Sequence, residues 1–334
     1  MTPARYSYDE DDVTVRASGR KSRPRTKTRP EHAAATPARV VAVDRGRLTC
    51  RLDAGAGVST QVTAVRAREL GRGGVVVGDR VGLVGDLSGA AGSLARVVRV
   101  EPRTTTLRRS ADDADPVERV LVANADQLVV VTAVADPAPR PRLVDRCLVA
   151  AYDGGLHPLL VVTKTDLADP AGLVTAYAGL DVPVLAVRRD RPLRDLRDAL
   201  ADRSSVLVGA SGVGKSTLVN ALVPDAERAV GRVNPVTGRG RHTSSSAVAL
   251  DLPGGGAVID TPGVRSFGLA HVNLGRVLHA FPDLEAGVAG CPRGCDHLPP
   301  HCALDAWVAA GRADPARLDS FRRLLASREG GEDA

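Results

Sequence analysis

The sequence predicts an α/β chain in three parts, and three observations carry that reading. Between Ala38 and Val100, five short apolar runs are broken by Gly and Asp. From Leu128 onward, apolar strands alternate with helical stretches, and one strand-to-helix turn is the glycine-rich run from Gly209 to Ser216. Near the carboxyl end, Cys291, Cys295, His297 and Cys302 crowd into twelve residues. The fold class that follows is an amino-terminal OB-type β-barrel, a central P-loop domain on a mostly parallel sheet, and a carboxy-terminal zinc-knuckle domain with helices.

Residues 1–36 show no periodicity and are expected to be a disordered basic tail. Asp9 to Asp12 give way to Arg16, Arg20, Lys21, Arg23, Arg25, Lys27 and Arg29, with no acid among them. That is more positive charge than the formal +6 of the whole 334-residue chain. Two readings stay open: phosphate contacts to RNA, or solubilisation alone.

Residues 37–105 are assigned to the barrel. Its strands are Arg39–Val43, Arg47–Leu52, Gln61–Val65, Asp79–Val84 and Leu94–Val100. No Phe, Tyr or Trp lies between Ala38 and Val100, so RNA binding here would rest on Arg and backbone contacts to phosphate, without base stacking. A linker is read from Glu101 to Val117.

Residues 106–284 are assigned to the sheet domain. Leu128–Thr132 is its first strand and Pro141–Ala151 a crossover helix. Leu159–Val162 follows as a buried strand and ends in Thr163-Lys164-Thr165-Asp166. A carboxylate at that rim can accept from N1–H and the exocyclic amine of guanine, which adenine cannot supply. Asn is usual where Thr163 stands, so one contact near the base is expected to weaken. Pro183–Val187 should present a Ser-Ala-type loop to the base, but Arg188 and Arg189 stand there.

Ser205–Val208 leads into Gly209, Ala210, Ser211, Gly212, Val213, Gly214, Lys215, Ser216 and Thr217, with a helix running to Val223. Backbone amides in such a turn cradle phosphates, Lys215 reaches the β/γ-phosphates, and the Ser216 hydroxyl is placed to ligate Mg²⁺. Ala257–Asp260 is a strand ending in an acid, then Thr-Pro-Gly263. Asp260 can hold Mg²⁺ through water, and the Gly263 amide can meet the γ-phosphate. GTP and GDP with Mg²⁺ are therefore the predicted ligands. In an ordinary GTPase the phosphate loop comes before the guanine motif, whereas here it comes after. The cycle of elements is circularly permuted.

That order, together with the run from Gly209 to Thr217, Gly238-Arg-Gly-Arg-His-Thr243 and Asp260-Thr-Pro-Gly-Val-Arg-Ser-Phe-Gly-Leu269, resembles the RsgA family of small-subunit-dependent GTPases. The resemblance spans roughly residues 37–328. It implies a cytoplasmic protein that binds the small ribosomal subunit and its rRNA, assists late maturation, and is released on GTP hydrolysis stimulated by the subunit. It assigns Thr243 as the switch threonine reaching Mg²⁺ and the γ-phosphate. Arg239, Arg241 and His242 are left to face RNA or to belong to a plain loop. Val264 stands where Ras-like proteins carry the water-orienting Gln, and a valine cannot hydrogen-bond water, so unassisted hydrolysis should be slow. Gly212 stands where potassium-activated GTPases carry an Asn, which removes that rescue. The resemblance points to His271 as a catalytic replacement; a structural histidine is the alternative. Rival functions are a permuted GTPase serving another RNA assembly, such as the large subunit, and a P-loop ATPase or kinase.

Residues 285–334 are assigned to the zinc segment and a final helix. Three thiolates and an imidazole suffice for tetrahedral Zn²⁺, with His301 a possible alternate ligand. Cys50 and Cys147 stand alone, which suits a reducing compartment. The relatives' spacing is one residue longer in both larger gaps. Asp314-Pro315 starts a helix through Leu325, whose Arg317, Arg322 and Arg323 either pack on the knuckle or face RNA. No apolar run approaches membrane length and no signal-peptide pattern opens the chain; a monomer without a membrane partner is expected.

Overall fold

A computed structural model of the protein describes residues 32, 34–52, 60–70, 74–110, 119–223, 247–261, 268–269, 272–299 and 302–328. Most of the expected tail lies outside these residues.

Strands β1 (Thr36–Asp44), β2 (Arg47–Leu52), β3 (Gln61–Arg66), β4 (Arg80–Gly85) and β5 (Ala95–Val100) form a barrel in the order β1-β2-β3-β5-β4, which β4 closes by pairing back to β1. Alternation puts Val40, Cys50, Ala64 and Val97 inside with no exposed surface. Small aliphatic side chains suffice because so narrow a barrel encloses little volume. Strand β1 slips register between Val40 and Ala42. Ala38 and Val40 therefore fill the barrel, while Val41 and Ala42 join the core of the neighbouring sheet domain.

The segment read as a linker carries structure. Strand β6 (Thr106–Arg109) pairs with β7 (Arg119–Ala123) as an antiparallel hairpin. Leu107 and Val122 are its buried residues facing the core, and two such residues give too short a pattern to stand out in sequence.

The sheet domain contains β8 (Gln127–Ala133), β9 (His157–Thr163), β10 (Val184–Ala186), β11 (Ser204–Val208), β12 (Val248–Asp251) and β13 (Ala257–Asp260) in the order β10-β9-β8-β11-β13-β12. All neighbours are parallel except β12 against β13. Period-two alternation divides two cores. Leu128, Val130, Leu160, Val162, Val206 and Ile259 face one side, and Val129, Val131, Leu159, Val161, Leu207 and Val258 face the other.

Helix α1 (Pro141–Gly154) covers the first face with Leu143, Val144, Cys147, Leu148 and Ala151, one stripe of a 3.6-residue repeat. It ends at Gly155, whose φ of 72° lets its amide turn back to the Ala151 and Tyr152 carbonyls. Helices α2 (Ala171–Tyr177), α3 (Arg194–Leu200) and α4 (Lys215–Leu222) follow, and α3 and α4 cover the second face through Leu196, Leu200, Leu218 and Leu222. Four carboxy-terminal helices complete the described fold: α5 (Leu274–Leu278), α6 (Pro282–Glu285), α7 (Ala303–Ala309) and α8 (Pro315–Arg328). Helix α8 packs Leu318, Phe321, Leu324 and Leu325 into the same core as α1.

Barrel and sheet domain are joined at two places. Val248 of β12 pairs with Ala42 of β1 on one side and with Asp260 of β13 on the other, and Arg51 of β2 forms an ion pair with Asp251. At the second junction Val77 bridges to Val122, and the Asn124 side chain donates to the Gly78 carbonyl at 3.1 Å. A Cβ at position 78 would lie 1.8 Å from the Ala123 carbonyl oxygen, so only glycine allows that approach. Beside it, Arg103 makes two hydrogen bonds to Asp79, at 2.7 and 2.9 Å, and a third to the Gly74 carbonyl at 2.6 Å. The Asp79 side chain is fully buried.

Removing Arg103 would leave a buried carboxylate without its cation. Arg103→Ala is therefore expected to cost roughly 2–3 kcal/mol, somewhat below the cost of breaking a wholly buried pair because Arg103 keeps some exposure. Urea unfolding should show the loss, and Asp79→Asn in the same background should recover part of it. An unchanged midpoint for Arg103→Ala would rule out the staple.

Candidate nucleotide site and metal centre

Chain order places a crevice in this sheet. After β8 the chain moves outward to β9 and β10, then returns to β11 on the other side of β8. Ligands bind outside the carboxyl ends of parallel strands at such a reversal. The turns after β8, β9, β10, β11 and β13 share that rim, and they carry the residues singled out in the sequence.

The phosphate-loop turn sits directly against β8. A Cβ on Gly209 would lie 2.2 Å from the Val131 carbonyl oxygen, so the turn can leave β11 at this angle only without a side chain. Gly212 and Gly214 have φ of 79° and 96°, and Gly214 caps the start of α4. The buried Lys215 curls back over the loop and donates from Nζ to the Gly209 and Ala210 carbonyls, both at 2.7 Å. Burial lowers its pKa, an effect the Asp260 carboxylate opposes. Burial raises the pKa of Asp260, and Lys215 opposes that in turn. The two groups support each other's charge at the centre of the rim. Ser216 and Thr217 are exposed on the first turn of α4. Thr261 is buried and donates to the Leu207 carbonyl at 2.6 Å, which ties the end of β13 to β11.

The Thr163 side chain faces inward. Its hydroxyl lies 2.6 Å from the Val213 carbonyl and 3.2 Å from that of Thr132, so it links the end of β9 to the phosphate loop. Lys164 adopts φ of 57° and reaches the Asp136 carbonyl and carboxylate. Thr165 donates to the Val187 carbonyl at 3.2 Å. Asp166 borders a cleft of about 580 Å³ between this segment, the Arg188–Leu193 turn and α4. Ala210, Ser211 and Val213 complete the turn from β11 to α4, and Val213 is buried. Thr243, Gly263, Val264 and His271 lie outside the described residues, as does His301.

The cysteine cluster lies between α6 and α7. The ligand atoms of Cys291, Cys295, His297 and Cys302 all fall within 4.8 Å of one another. Cys291 Sγ is 3.7 Å from His297 Nδ1 and 3.8 Å from Cys302 Sγ, and Cys302 Sγ is 3.9 Å from His297 Nδ1. A tetrahedral ion about 2.3 Å from sulfur and about 2.0 Å from nitrogen would set neighbouring ligands ~3.5–3.8 Å apart, so the donor set fits such an ion. His297 turns through φ of 62°, and Arg322 holds its carbonyl at 3.1 Å while gripping Asp305 with two bonds of 2.7 Å.

The basic residues of α8 pack rather than project. Arg317 pairs with Asp283 and Asp181, and Arg323 pairs with Asp145. Sequence reading missed these partners because none is near in the chain. It also missed the inward turn of Thr163 and the Lys164–Asp136 contact, which no local pattern announces.

The chain matches the family model described as RsgA GTPase over residues 100–270. It is 37% identical over 257 residues to the small ribosomal subunit biogenesis GTPase RsgA of Gemmatimonas aurantiaca, covering 75% of this chain and 83% of that protein. It is 40% identical over 241 residues to the protein of the same name from Pseudomonas fluorescens, covering 69% of each chain. The crystal structure of YjeQ from Thermotoga maritima superposes with a TM-score of 0.62 at 24% identity, covering 89% of this chain and 99% of that one. YloQ, described as a circularly permuted GTPase, superposes with a TM-score of 0.61 at 21% identity, covering 90% and 97%.

Cys291, Cys295 and Cys302 pack against the core that α1 and α8 share, so the metal site is not walled off from the sheet. Elemental analysis of the purified protein should find about one metal ion per chain. Cys295→Ser or chelation should lower the melting temperature of the whole molecule. A full-length protein with no bound metal and no response to chelation would remove the site.

Proposed function

The chain belongs to the RsgA GTPase family, and on that footing we propose that it hydrolyses GTP to GDP and phosphate while assisting late maturation of the small ribosomal subunit. The observation that carries this reading is the meeting of Asp166, the Gly209–Ser216 turn and Asp260 on one rim of the sheet. Three chemically distinct needs of a guanine nucleotide, for base, phosphates and metal, are met there by residues far apart in sequence.

In this reading Asp166 accepts from N1–H and the exocyclic amine of guanine. Amides of the turn from Gly209 to Thr217 face the phosphates, and Lys215 exchanges its loop carbonyls for phosphate oxygens. Mg²⁺ is held by Ser216 and, through water, by Asp260. The family resemblance adds Thr243 as a third Mg²⁺ contact, Gly263 at the γ-phosphate and His271 toward the attacking water. The cysteine cluster takes one structural Zn²⁺. Four protein ligands leave no open position for water, so that ion holds the fold and takes no part in the reaction. Among the described residues no helix is long and apolar enough to cross a membrane, in keeping with a partner met in solution.

Two sequence features set the expected kinetics. Val264 cannot align water, and the loop containing Thr243 is the element that GTP would order. The small subunit should therefore act by completing the site rather than by tightening GTP binding.

Hydrolysis of GTP by the full chain, measured with and without isolated small subunits, tests the proposal. Slow turnover alone with several-fold or greater stimulation is expected, and His271→Ala should lower the stimulated rate with little change in GTP affinity. Equal stimulation by large subunits, or none by small ones, would count against the assigned partner. Asp166→Asn should shift preference from GTP toward xanthosine triphosphate, whose 2-oxo group accepts where guanine donates. An unchanged preference would take Asp166 out of the base site.

A further inference from the structure

Guanine presents two polar edges. If the site binds GTP as proposed, Asp166 accounts for N1–H and the exocyclic amine, but O6 and N7 are acceptors and call for N–H donors. The usual donors are missing from this chain. Thr163 stands in place of Asn and turns its hydroxyl to the Val213 and Thr132 carbonyls. The turn after β10 carries Arg188 and Arg189 where a Ser-Ala-type loop is expected.

That turn is anchored beside Asp166. The Val187 amide donates to the Val162 carbonyl at 2.8 Å, and the Val187 carbonyl accepts from Thr165 at 3.2 Å. The strand end and the base-reading segment therefore hold Val187 from both sides. The next residue, Arg188, borders the same cleft as Asp166. Its guanidinium is fixed in plane by Asp190, with Nε and one terminal nitrogen each 3.0 Å from a carboxylate oxygen. This pairing uses the side-on edge of the fork. The second terminal nitrogen has no hydrogen-bond partner among the described residues, which leaves the end-on edge free to make two parallel N–H contacts. An exposed pair of this kind adds little to stability, so its effect lies in orienting the fork.

We propose that Arg188 is the residue that reads O6 and N7 of guanine, through the end-on edge of a guanidinium held in place by Asp190. A planar fork matches two acceptors side by side on a purine, the same match by which arginine recognises guanine in nucleic acids. Base recognition in this chain would then be shared between two side chains of opposite charge on adjacent strand ends. The inference rests on the guanine-binding reading above and goes beyond it by assigning the second edge.

Binding of GTP, 7-deaza-GTP and ATP to the full-length protein, measured by calorimetry, tests it. 7-Deaza-GTP lacks the N7 acceptor and keeps the edge that Asp166 reads. The unaltered protein should bind it roughly tenfold more weakly than GTP. Arg188→Ala should bind GTP roughly tenfold or more weakly and no longer distinguish it from 7-deaza-GTP. Arg188→Lys should remain weak, because an ammonium cannot present a planar pair. Asp190→Asn should weaken GTP less than Arg188→Ala and reduce the 7-deaza penalty.

The proposal is overturned if Arg188→Ala binds GTP like the unaltered protein or keeps the 7-deaza penalty. It is also overturned if the unaltered protein shows no penalty while still preferring GTP to ATP. In those cases the guanine site stands without Arg188. An unaltered protein that does not prefer GTP to ATP would remove both readings at once.

Discussion

The close approach of Gly209 to the Val131 carbonyl is the constraint on which the candidate site depends. Strand β11 enters the sheet between β8 and β13, and its exit turn must pass over the end of β8 with no room for a Cβ. That passage sets the height of the phosphate loop above the sheet and the direction of α4. It brings Val213 within reach of the Thr163 hydroxyl, so the turn that would hold phosphates and the segment that would read the base are fastened by a single buried hydrogen bond. A substituent at Gly209 would have to displace backbone, and neither half of the site could then keep its position.

Electrostatics at the rim follow from this packing. Lys215 and Asp260 are each disfavoured as ions by burial and each favoured by the other. The pair resembles a partly buried ion pair whose charges are retained for use rather than for stability, since well-packed apolar residues hold a fold at least as well. The loop carbonyls of Gly209 and Ala210 satisfy the ammonium meanwhile. Asp166, by contrast, stands at the edge of an open cleft bordered by several arginines, where a planar base fits between charged side chains rather than among apolar ones.

Much of this was legible in the sequence because it is local. Alternating apolar runs marked the barrel and the parallel strands. Glycines at fixed offsets marked the phosphate turn, and the spacing of Cys291, Cys295, His297 and Cys302 marked a set of donors that the structure brings within 4.8 Å of one another. The missed features depend on long-range partners. The β6–β7 hairpin has too few buried positions for a visible period, and β12 is four residues long and gains its place from β13 and β1. The basic face of α8 reads equally as a surface for RNA until Asp181, Asp283, Asp145 and Asp305 are seen against it. A charged residue's partner is decided by the fold, and one sequence does not carry that information.

Strand β12 has a mechanical consequence. Val248 lies in one ladder with Asp260 and in another with Ala42, so the aspartate strand and the barrel are neighbours of the same residue. Neither ladder can slip by a step without carrying Val248, because a one-residue slip would turn its side chain out of the core. A load placed on the barrel is thus borne in shear across β12, within one strand spacing of Asp260, rather than absorbed by a pliant tether. Barrel and crevice move as a beam with its fixed end at the carboxylate.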